Sequence, residues 1–158
     1  MDKKFVDDLR FENARIIFRN FSGKGTKFNH EGDRNFCVVI DDVAVAEDLA
    51  NDGWNVKKLE PRDDYVDPLY YIPVAINFDS YKPPVVWLVC GHSKTQLDKD
   101  SVGTLDFADI KSTDIILHPY CWEVNGDSGI KAYLKNMYVV IEEDPFAGKY
   151  VFDEEEPF

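Results

Sequence analysis

The chain has 158 residues, of which 18 are Lys or Arg and 30 are Asp or Glu, so its formal charge is −12. This length suits one domain with its own core, and an apolar content of 44% with 14% aromatics is too rich for a disordered protein. Taken as a total, a charge of −12 argues against a ligand as negative as nucleic acid.

The first predicted elements are two strands and a helix. Residues 14–21 (ARIIFRNF) and 34–41 (RNFCVVID) are β-branched and aromatic, and the Gly-containing segment between them is predicted to be a loop. Residues 43–52 are predicted to form a short helix, because Asp42 can cap its start and Gly53 suits the position just after its end.

The rest of the body is also predicted to be mainly β. Further strand candidates follow at residues 54–59, 69–78 and 85–90. Residues 100–110 contain a predicted helical turn, and residues 115–124 and 130–142 form a predicted hairpin across a loop of Asn, Gly, Asp and Ser. About six or seven short strands with one short helix predict a small β-barrel or sandwich.

The negative charge is concentrated in two segments. Residues 142–158 hold seven acids and one Lys, and residues 41–67 hold nine acids and three bases, so each segment has a net charge of −6. The remaining segments, 1–40 and 68–141, together are neutral, and within them residues 13–37 carry a net charge of +3. We therefore predict a near-neutral body with local basic strips and acidic appendages.

Two units are predicted, a folded domain over residues 1–144 and an acidic tail over residues 145–158. The last dozen residues combine high charge, a proline and no periodicity, which is typical of a disordered tail. No apolar run approaches the length of a membrane helix, and the N-terminus lacks the apolar region of a secretory signal. A cytoplasmic location is therefore expected.

The three cysteines indicate neither disulfides nor a metal site. Cys37, Cys90 and Cys121 each lie in or beside an apolar run, and an odd number of buried thiols is typical of a reducing compartment. There is no C-x-x-C pair, so zinc is not expected. We expect no metal and no cofactor.

Cations and aromatic rings are predicted to share faces on the strands. Side chains alternate along a strand, so Arg15, Arg19 and Phe21 share one face, and Lys131, Tyr133 and Lys135 share another. Lys and Arg can neutralise phosphates, while flat rings accept stacked bases at about 1–3 kcal/mol each. The candidate nucleic-acid contacts are Arg15, Arg19, Phe21, Lys24, Lys27, Arg34, Tyr120, Trp122, Lys131, Tyr133 and Lys135. The alternative is that these rings belong to the core and these cations to a solvated face.

The chain ends in an acidic run followed by an apolar tip. The residues concerned are Asp153, Glu154, Glu155, Glu156, Pro157 and Phe158. Basic side chains of a partner can pair with the acids, an apolar slot can take the ring, and a cation can bind the α-carboxylate. These six residues are therefore candidate partner-binding residues. The alternative, a merely solubilising tail, explains the acids but not a terminal Phe.

The ending DEEEPF resembles the C-terminal tip of bacterial single-stranded DNA-binding proteins. The chain also resembles single-strand-binding proteins encoded by bacteriophages, in the stretches FENARIIFRNFSGKG, RNFCVVIDD, DGWNVKKLEPR and EVNGDSGIKAYLKNMYVVIEED. The resemblance implies an OB-fold, which is a five-stranded Greek-key barrel, and a tip that recruits replication, recombination and repair enzymes. The expected architecture is thus a mainly β, OB-fold-like small barrel with one short helix and a disordered acidic tail.

The leading hypothesis is sequence-independent binding of single-stranded DNA (ssDNA) during phage DNA replication, recombination or repair, with the tip recruiting partner enzymes. One barrel covers few nucleotides, so a dimer or higher assembly is a further expectation. The alternative is an acidic interaction or inhibitor module that binds a host nucleic-acid enzyme. The chain is not expected to be an enzyme, because none of its paired carboxylates has a His or a nucleophile at a spacing that indicates a catalytic site. A nuclease is the weakest hypothesis.

Overall fold

The computed structural model describes residues 6–62 and 66–142, and within them nine β-strands and one α-helix. The strands are β1 (Leu9–Phe11), β2 (Ile16–Asn20), β3 (Arg34–Ile40), β4 (Lys57–Leu59), β5 (Leu69–Ile76), β6 (Val85–Cys90), β7 (Ser93–Leu97), β8 (Ile110–Val124) and β9 (Asp127–Ile141). The helix α1 spans Val43–Asp52, and a 3₁₀ turn spans Val102–Asp106, within the region predicted to hold a helical turn.

The main sheet closes on itself. Its strand order is β1-β8-β9-β5-β3-β2, with antiparallel neighbours except for the parallel pair β5–β9. The two end strands, β1 and β2, are separated in the chain only by residues 12–15, and there the backbone N–H of Ala14 donates to the carbonyl of Thr113 on β8, at 2.7 Å. The chain thus makes five passes around a barrel in the Greek-key order of an OB-fold.

The long strand β9 joins this barrel to an added hairpin. Along one edge it pairs with β8. Its other edge pairs first with β5, at Ala132 and Tyr133, and then with β6, from Asn136 to Val140. The hairpin β6–β7 therefore extends the sheet beyond the five passes of the barrel, and β9 runs through both parts.

The core lies inside the barrel and follows the alternation of its strands. Phe36 and Val38 of β3 are fully buried, as are Ile72 of β5, Leu117 of β8 and Met137 of β9. Each such side chain contributes about 1.5–3 kcal/mol when it leaves water. Their neighbours on β5, β8 and β9 are more exposed, whereas Cys37 and Val39 of β3 are also buried.

Helix α1 has the bounds that its local signals predict. The Asp42 carboxylate accepts from the N–H of Ala44 at 2.9 Å, and Gly53, with φ of 108°, ends the helix. The carbonyl of Gly53 then accepts from the N–H of Ile130 on β9 at 2.9 Å, and Trp54 is buried beside it. The end of the helix is thereby attached to the start of β9.

The architecture confirms the predicted mainly β, OB-fold-like barrel with one short helix. Two strands, β1 and β7, lie where no strand was predicted, and the strand predicted at residues 54–59 is limited to β4. The predicted tail at residues 145–158 lies outside the described residues.

Candidate nucleic-acid interface

The outer faces of β3, β5 and β9 form the floor of an open groove of about 850 Å³. One end of the groove lies at the base of the loop of residues 21–33, and the other lies at the β8–β9 hairpin. Asn35, Ala75 and Tyr133 face one another across the three strands and lie on this floor. In OB-folds, the second and third passes of the barrel, here β3 and β5, and the loops at these two ends of the groove are the regions that contact oligonucleotides.

The β8–β9 hairpin brings together four of the predicted contacts. Tyr120 pairs with Lys131, and the ring of Tyr120 meets that of Tyr133 edge to face, with centroids 6.0 Å apart. The Nζ of Lys131 lies 5.1 Å from the Tyr133 ring centroid. Tyr120 and Trp122 are 56% and 38% exposed. We refer to Tyr120, Trp122, Lys131 and Tyr133 as the hairpin cluster.

Gly129 sets the position of the Trp122 indole. The two residues are opposite each other in the β8–β9 ladder, and a Cβ on Gly129 would lie 2.8 Å from Cζ2 of Trp122. The indole therefore lies directly against the glycine backbone, and only a residue without a side chain permits this contact. A part of the ring is left open to solvent at the groove.

Lys135 continues the exposed face of β9 beyond the hairpin cluster. It is the extra residue of a β-bulge, since Leu134 and Asn136 pair with consecutive residues of β8. Its ammonium donates to Oδ2 of Asp8 at 2.6 Å, and Nδ1 of His118 lies 3.0 Å from Oδ1 of the same carboxylate. Lys135 is thus exposed at the surface, but its charge is already paired with the carboxylate of Asp8.

The loop of residues 21–33 projects two of the predicted cations beside an exposed ring. Phe28 is 91% exposed, and the Nζ of Lys27 lies 5.8 Å from its centroid. Lys24 is exposed as well, and its backbone is held by the side chain of Asn20. The loop therefore carries an exposed ring and two exposed cations.

Arg34 has a structural contact at the base of this loop. Its Nη1 donates to the carbonyl of Phe21 at 2.7 Å, and its guanidinium lies 5.9 Å from the Phe78 ring centroid. Arg34 also lines the groove, but Asp33 and Asp79 line the same end. Positive charge is therefore less concentrated at this end than at the β8–β9 hairpin.

Arg15 and Arg19 lie in a different place. They line a separate depression of about 460 Å³ together with Lys111, and the described residues that line it differ from those that line the groove. Nη1 of Arg19 donates to the carbonyls of Leu105 and Ala108, both at 2.8 Å. The structure thus does not bring Arg15 and Arg19 together with the hairpin cluster.

The prediction that Phe21 contacts nucleic acid is wrong. Phe21 is fully buried, and its ring stacks on Phe36 with centroids 5.1 Å apart. The register of β2 against β3 shifts between Ile17 and Asn20, so the simple alternation that placed Phe21 beside Arg19 does not hold. Phe21 is a core residue.

The same irregularity exposes a ring that the sequence reasoning missed. Phe18 has a φ of 53° and is 57% exposed, and its ring meets that of Tyr71 edge to face with centroids 5.7 Å apart. Tyr71 lies on the outer face of β5, two positions before Pro73 of the groove. Only the bulge turns Phe18 outward, and a period-two pattern carries no signal of it.

Cys37 lies in the outer face of β3, opposite Pro73. Burial raises the pKa of its thiol to about 11, an effect that the charge of Lys57 only partly offsets. The thiol is therefore protonated at neutral pH and behaves as a small apolar side chain. Within residues 6–62 and 66–142, no cluster of three or more His, Cys, Asp or Glu could hold a metal ion, and no helix is long and apolar enough to span a membrane.

Comparison with known proteins identifies a family and several solved structures that resemble this chain. The family model described as "Putative phage ssDNA-binding domain" matches residues 1–155. The single-stranded DNA-binding protein from bacteriophage Enc34 in complex with ssDNA is 10% identical, with a TM-score of 0.56 over 88% of this chain and 89% of that chain. A C-terminal truncation of the Enc34 protein is 11% identical, with a TM-score of 0.54 over 88% of each chain. No curated protein matches the chain. At such identities the structural likeness shows the fold.

Proposed function

Since the chain belongs to the phage ssDNA-binding domain family, we propose that its groove binds ssDNA without regard to sequence. The observation that carries this site is the hairpin cluster, in which exposed rings and a cation share the outer face of one hairpin. The Enc34 protein of the same fold is a single-stranded DNA-binding protein whose structure contains ssDNA, which supports this ligand class.

The proposed mechanism is stacking combined with phosphate neutralisation. The Trp122 and Tyr120 rings accept bases, and since every base has a π-face, the contact tolerates any sequence. Lys131 and the loop cations Lys24 and Lys27 neutralise phosphates. The net charge of −12 leaves little general attraction, so binding depends on this local arrangement and is sensitive to salt.

We further propose a division of labour along the chain. Residues 1–144 bind ssDNA, and residues 145–158 are an acidic tail whose last six residues recruit phage or host replication and recombination proteins. What supports this is the run of acids that ends in Pro157 and Phe158. Deleting Phe158 from the full chain is expected to abolish capture of such an enzyme while oligo-dT binding is unchanged.

The groove is tested by replacing single residues and measuring binding of fluorescent oligo-dT by anisotropy. Trp122→Ala is expected to weaken binding by about 5- to 150-fold, the equivalent of 1–3 kcal/mol for one stacked base. Lys131→Ala is expected to weaken binding less and to lower the salt dependence. Lys111→Ala is the matched control, because Lys111 is an exposed strand lysine in the separate depression. If Trp122→Ala and Lys131→Ala both bind like the wild type, the groove is not the site.

A further inference from the structure

The added β6–β7 hairpin carries a second group of rings and cation. The Nζ of Lys94 lies 4.2 Å from the ring centroid of Trp87 and 5.2 Å from that of Tyr138. Trp87 and Tyr138 are partners in the parallel β6–β9 ladder, and Lys94 is on the neighbouring strand β7. The described residues that line the groove do not include these three. We refer to Trp87, Lys94 and Tyr138 as the β6–β7 cluster.

The β6–β7 cluster faces solvent rather than the core. Val86 and Val139, which precede and follow its ring residues in the chain, are fully buried, so the rings point outward. Tyr138 is 39% exposed, and Lys94 is exposed. A pair of rings on an outer sheet face is not required by the packing of the barrel.

The charge of Lys94 is available to an anion. Within residues 6–62 and 66–142, Lys94 has no salt bridge, and its described contacts are the two rings. The acid nearest in the ladder is Asp114, opposite Tyr138 on β8, and its Oδ1 accepts the backbone N–H of Asn13 at 2.8 Å. An approaching phosphate therefore meets an unpaired cation on the β7 side of the cluster.

Strand β9 carries residues of both clusters. Lys131 of the hairpin cluster and Tyr138 of the β6–β7 cluster are seven positions apart on β9, which corresponds to about 23 Å at 3.3 Å per residue. At about 3.4 Å per nucleotide, a stacked strand covers this distance with about seven nucleotides. This length falls within the 4–16 nucleotides that one OB-fold occupies.

We propose that Trp87, Lys94 and Tyr138 form a second ssDNA contact site, which a strand reaches after it has crossed the groove. The inference rests on the proposed function and extends its site onto the added hairpin. A base takes the place of Lys94 on the Trp87 ring, and the released ammonium pairs with a phosphate. This exchange is favourable because a stacked base gains more than an exposed cation–π contact.

Single-stranded DNA fits this cluster better than other occupants do. A duplex keeps the faces of its bases stacked inside and offers no ring face to Trp87. An acidic peptide would use the cation but leave two rings without partners. A strand that leaves the groove along β9 supplies both a base and a phosphate at the required distance.

The test compares the effect of one charge removal on short and long oligo-dT, of about 6 and about 20 nucleotides. Lys94→Gln is expected to weaken binding of the long oligonucleotide by about three- to tenfold, to lower its salt slope by about 0.7, and to leave the short one unchanged. Lys131→Gln should weaken binding of both, and Lys111→Gln should affect neither. All three side chains are exposed, so the variants are expected to fold.

The outcomes separate the two proposals. If Lys131→Gln weakens binding but Lys94→Gln leaves the long oligonucleotide unaffected, the second site is refuted while the groove stands. If neither change weakens binding, the groove itself fails. Equal weakening of both lengths by Lys94→Gln would also refute a site that is reached only after the groove.

Tryptophan emission provides an independent measurement. In a Trp122→Phe variant, the remaining tryptophans are Trp54, which is 4% exposed, and Trp87. At saturation the long oligonucleotide is expected to quench the emission of this variant more strongly than the short one, because only the long strand reaches Trp87, whereas the only remaining tryptophan among the described residues that line the groove is the buried Trp54. Equal emission with and without the long oligonucleotide would overturn the inference.

Discussion

The carboxylate of Asp8 forms an ion pair with Lys135 on the outer face of β9, with Oδ2 and Nζ 2.6 Å apart. The same carboxylate reaches Nδ1 of His118 at 3.0 Å, so an acid from the N-terminal segment is held between an ammonium and an imidazole. Lys135 lies between the hairpin cluster and the β6–β7 cluster, on the proposed path of the strand. The Asp8 carboxylate thus pairs with the ammonium of Lys135, which would otherwise be free to bind a phosphate.

Replacing Asp8 is expected to strengthen ssDNA binding. Asp8→Asn removes one negative charge from the proposed path and releases Lys135 for a phosphate, so affinity for oligo-dT should rise by about two- to fivefold at low salt. The salt slope should increase by up to about 0.7. The double variant Asp8→Asn with Lys135→Gln is the control and should lose the increase in salt slope. Equal affinities and slopes for wild type and Asp8→Asn would exclude Lys135 from the site.

The same ion pair predicts a dependence of stability on pH. Burial alone would raise the pKa of Asp8, but hydrogen bonds and charges from Lys135 and His118 lower it below its ordinary value of 3.8. The contribution to stability is therefore fully present above that value and is lost as pH falls through the lowered pKa. Because both partners are partly exposed, it amounts to at most about 1 kcal/mol.

Denaturant unfolding of the wild type and Asp8→Asn provides the measurement. The wild type is expected to be more stable than Asp8→Asn from neutral pH down to about pH 5, and the difference should shrink below the ordinary pKa of an aspartate. A difference that persists unchanged at pH 2 would contradict this account of the pair.

Gly129 is expected to be required for DNA affinity rather than for folding. A Cβ at this position would lie 2.8 Å from the Trp122 ring, so Gly129→Ala forces the indole away from the backbone. Affinity for oligo-dT should fall by about two- to tenfold through the displaced ring. Lys111→Ala, in the separate depression, is the control and should bind like the wild type. Wild-type affinity in Gly129→Ala would mean that the indole position does not matter.

Phe18 adopts a left-handed backbone conformation that is unfavourable for a Phe residue. Its φ of 53° is costly for a bulky side chain, yet the ring is 57% exposed and contributes little to the core. Phe18→Gly should therefore leave the free energy of unfolding within about 1 kcal/mol of the wild type, while oligo-dT binding weakens by about fivefold.

Asn13 provides a matched control for Phe18, because it has a φ of 49° and lines the separate depression. Asn13→Gly relieves a similar backbone conformation and should leave oligo-dT binding unchanged. If Phe18→Gly binds like the wild type, Phe18 does not belong to the interface, and its exposure has another reason.

The parts of this fold that sequence predicts are those determined by local signals. Asp42 and Gly53 determine the ends of α1 through contacts within a few residues, and the alternation in β8 and β9 correctly places Tyr120, Trp122 and Lys131 on one outer face. Phe18 and Phe21 could not be predicted in the same way. Their orientations depend on a bulge that exists only when β2 pairs with β3.

Pairing between distant strands explains the remaining differences. Strand β9 pairs first with β5 and then with β6, and no local pattern in the sequence indicates this change of partner. Through this pairing, two groups of rings that are far apart in the sequence come to lie along one strand. Likewise, the Asp8–Lys135 pair joins residues 127 positions apart. Part of the candidate site could therefore be predicted residue by residue, but the way in which strand pairing brings its residues together could not.

The central claim is tested most directly by titrating the full chain with oligo-dT at rising salt while following tryptophan emission. The account predicts binding by low-micromolar protein at low salt, quenching through Trp122, and a logarithm of affinity that falls linearly with log salt by about 0.7 per neutralised phosphate. Absence of oligo-dT binding at low salt, with the protein folded, would contradict it.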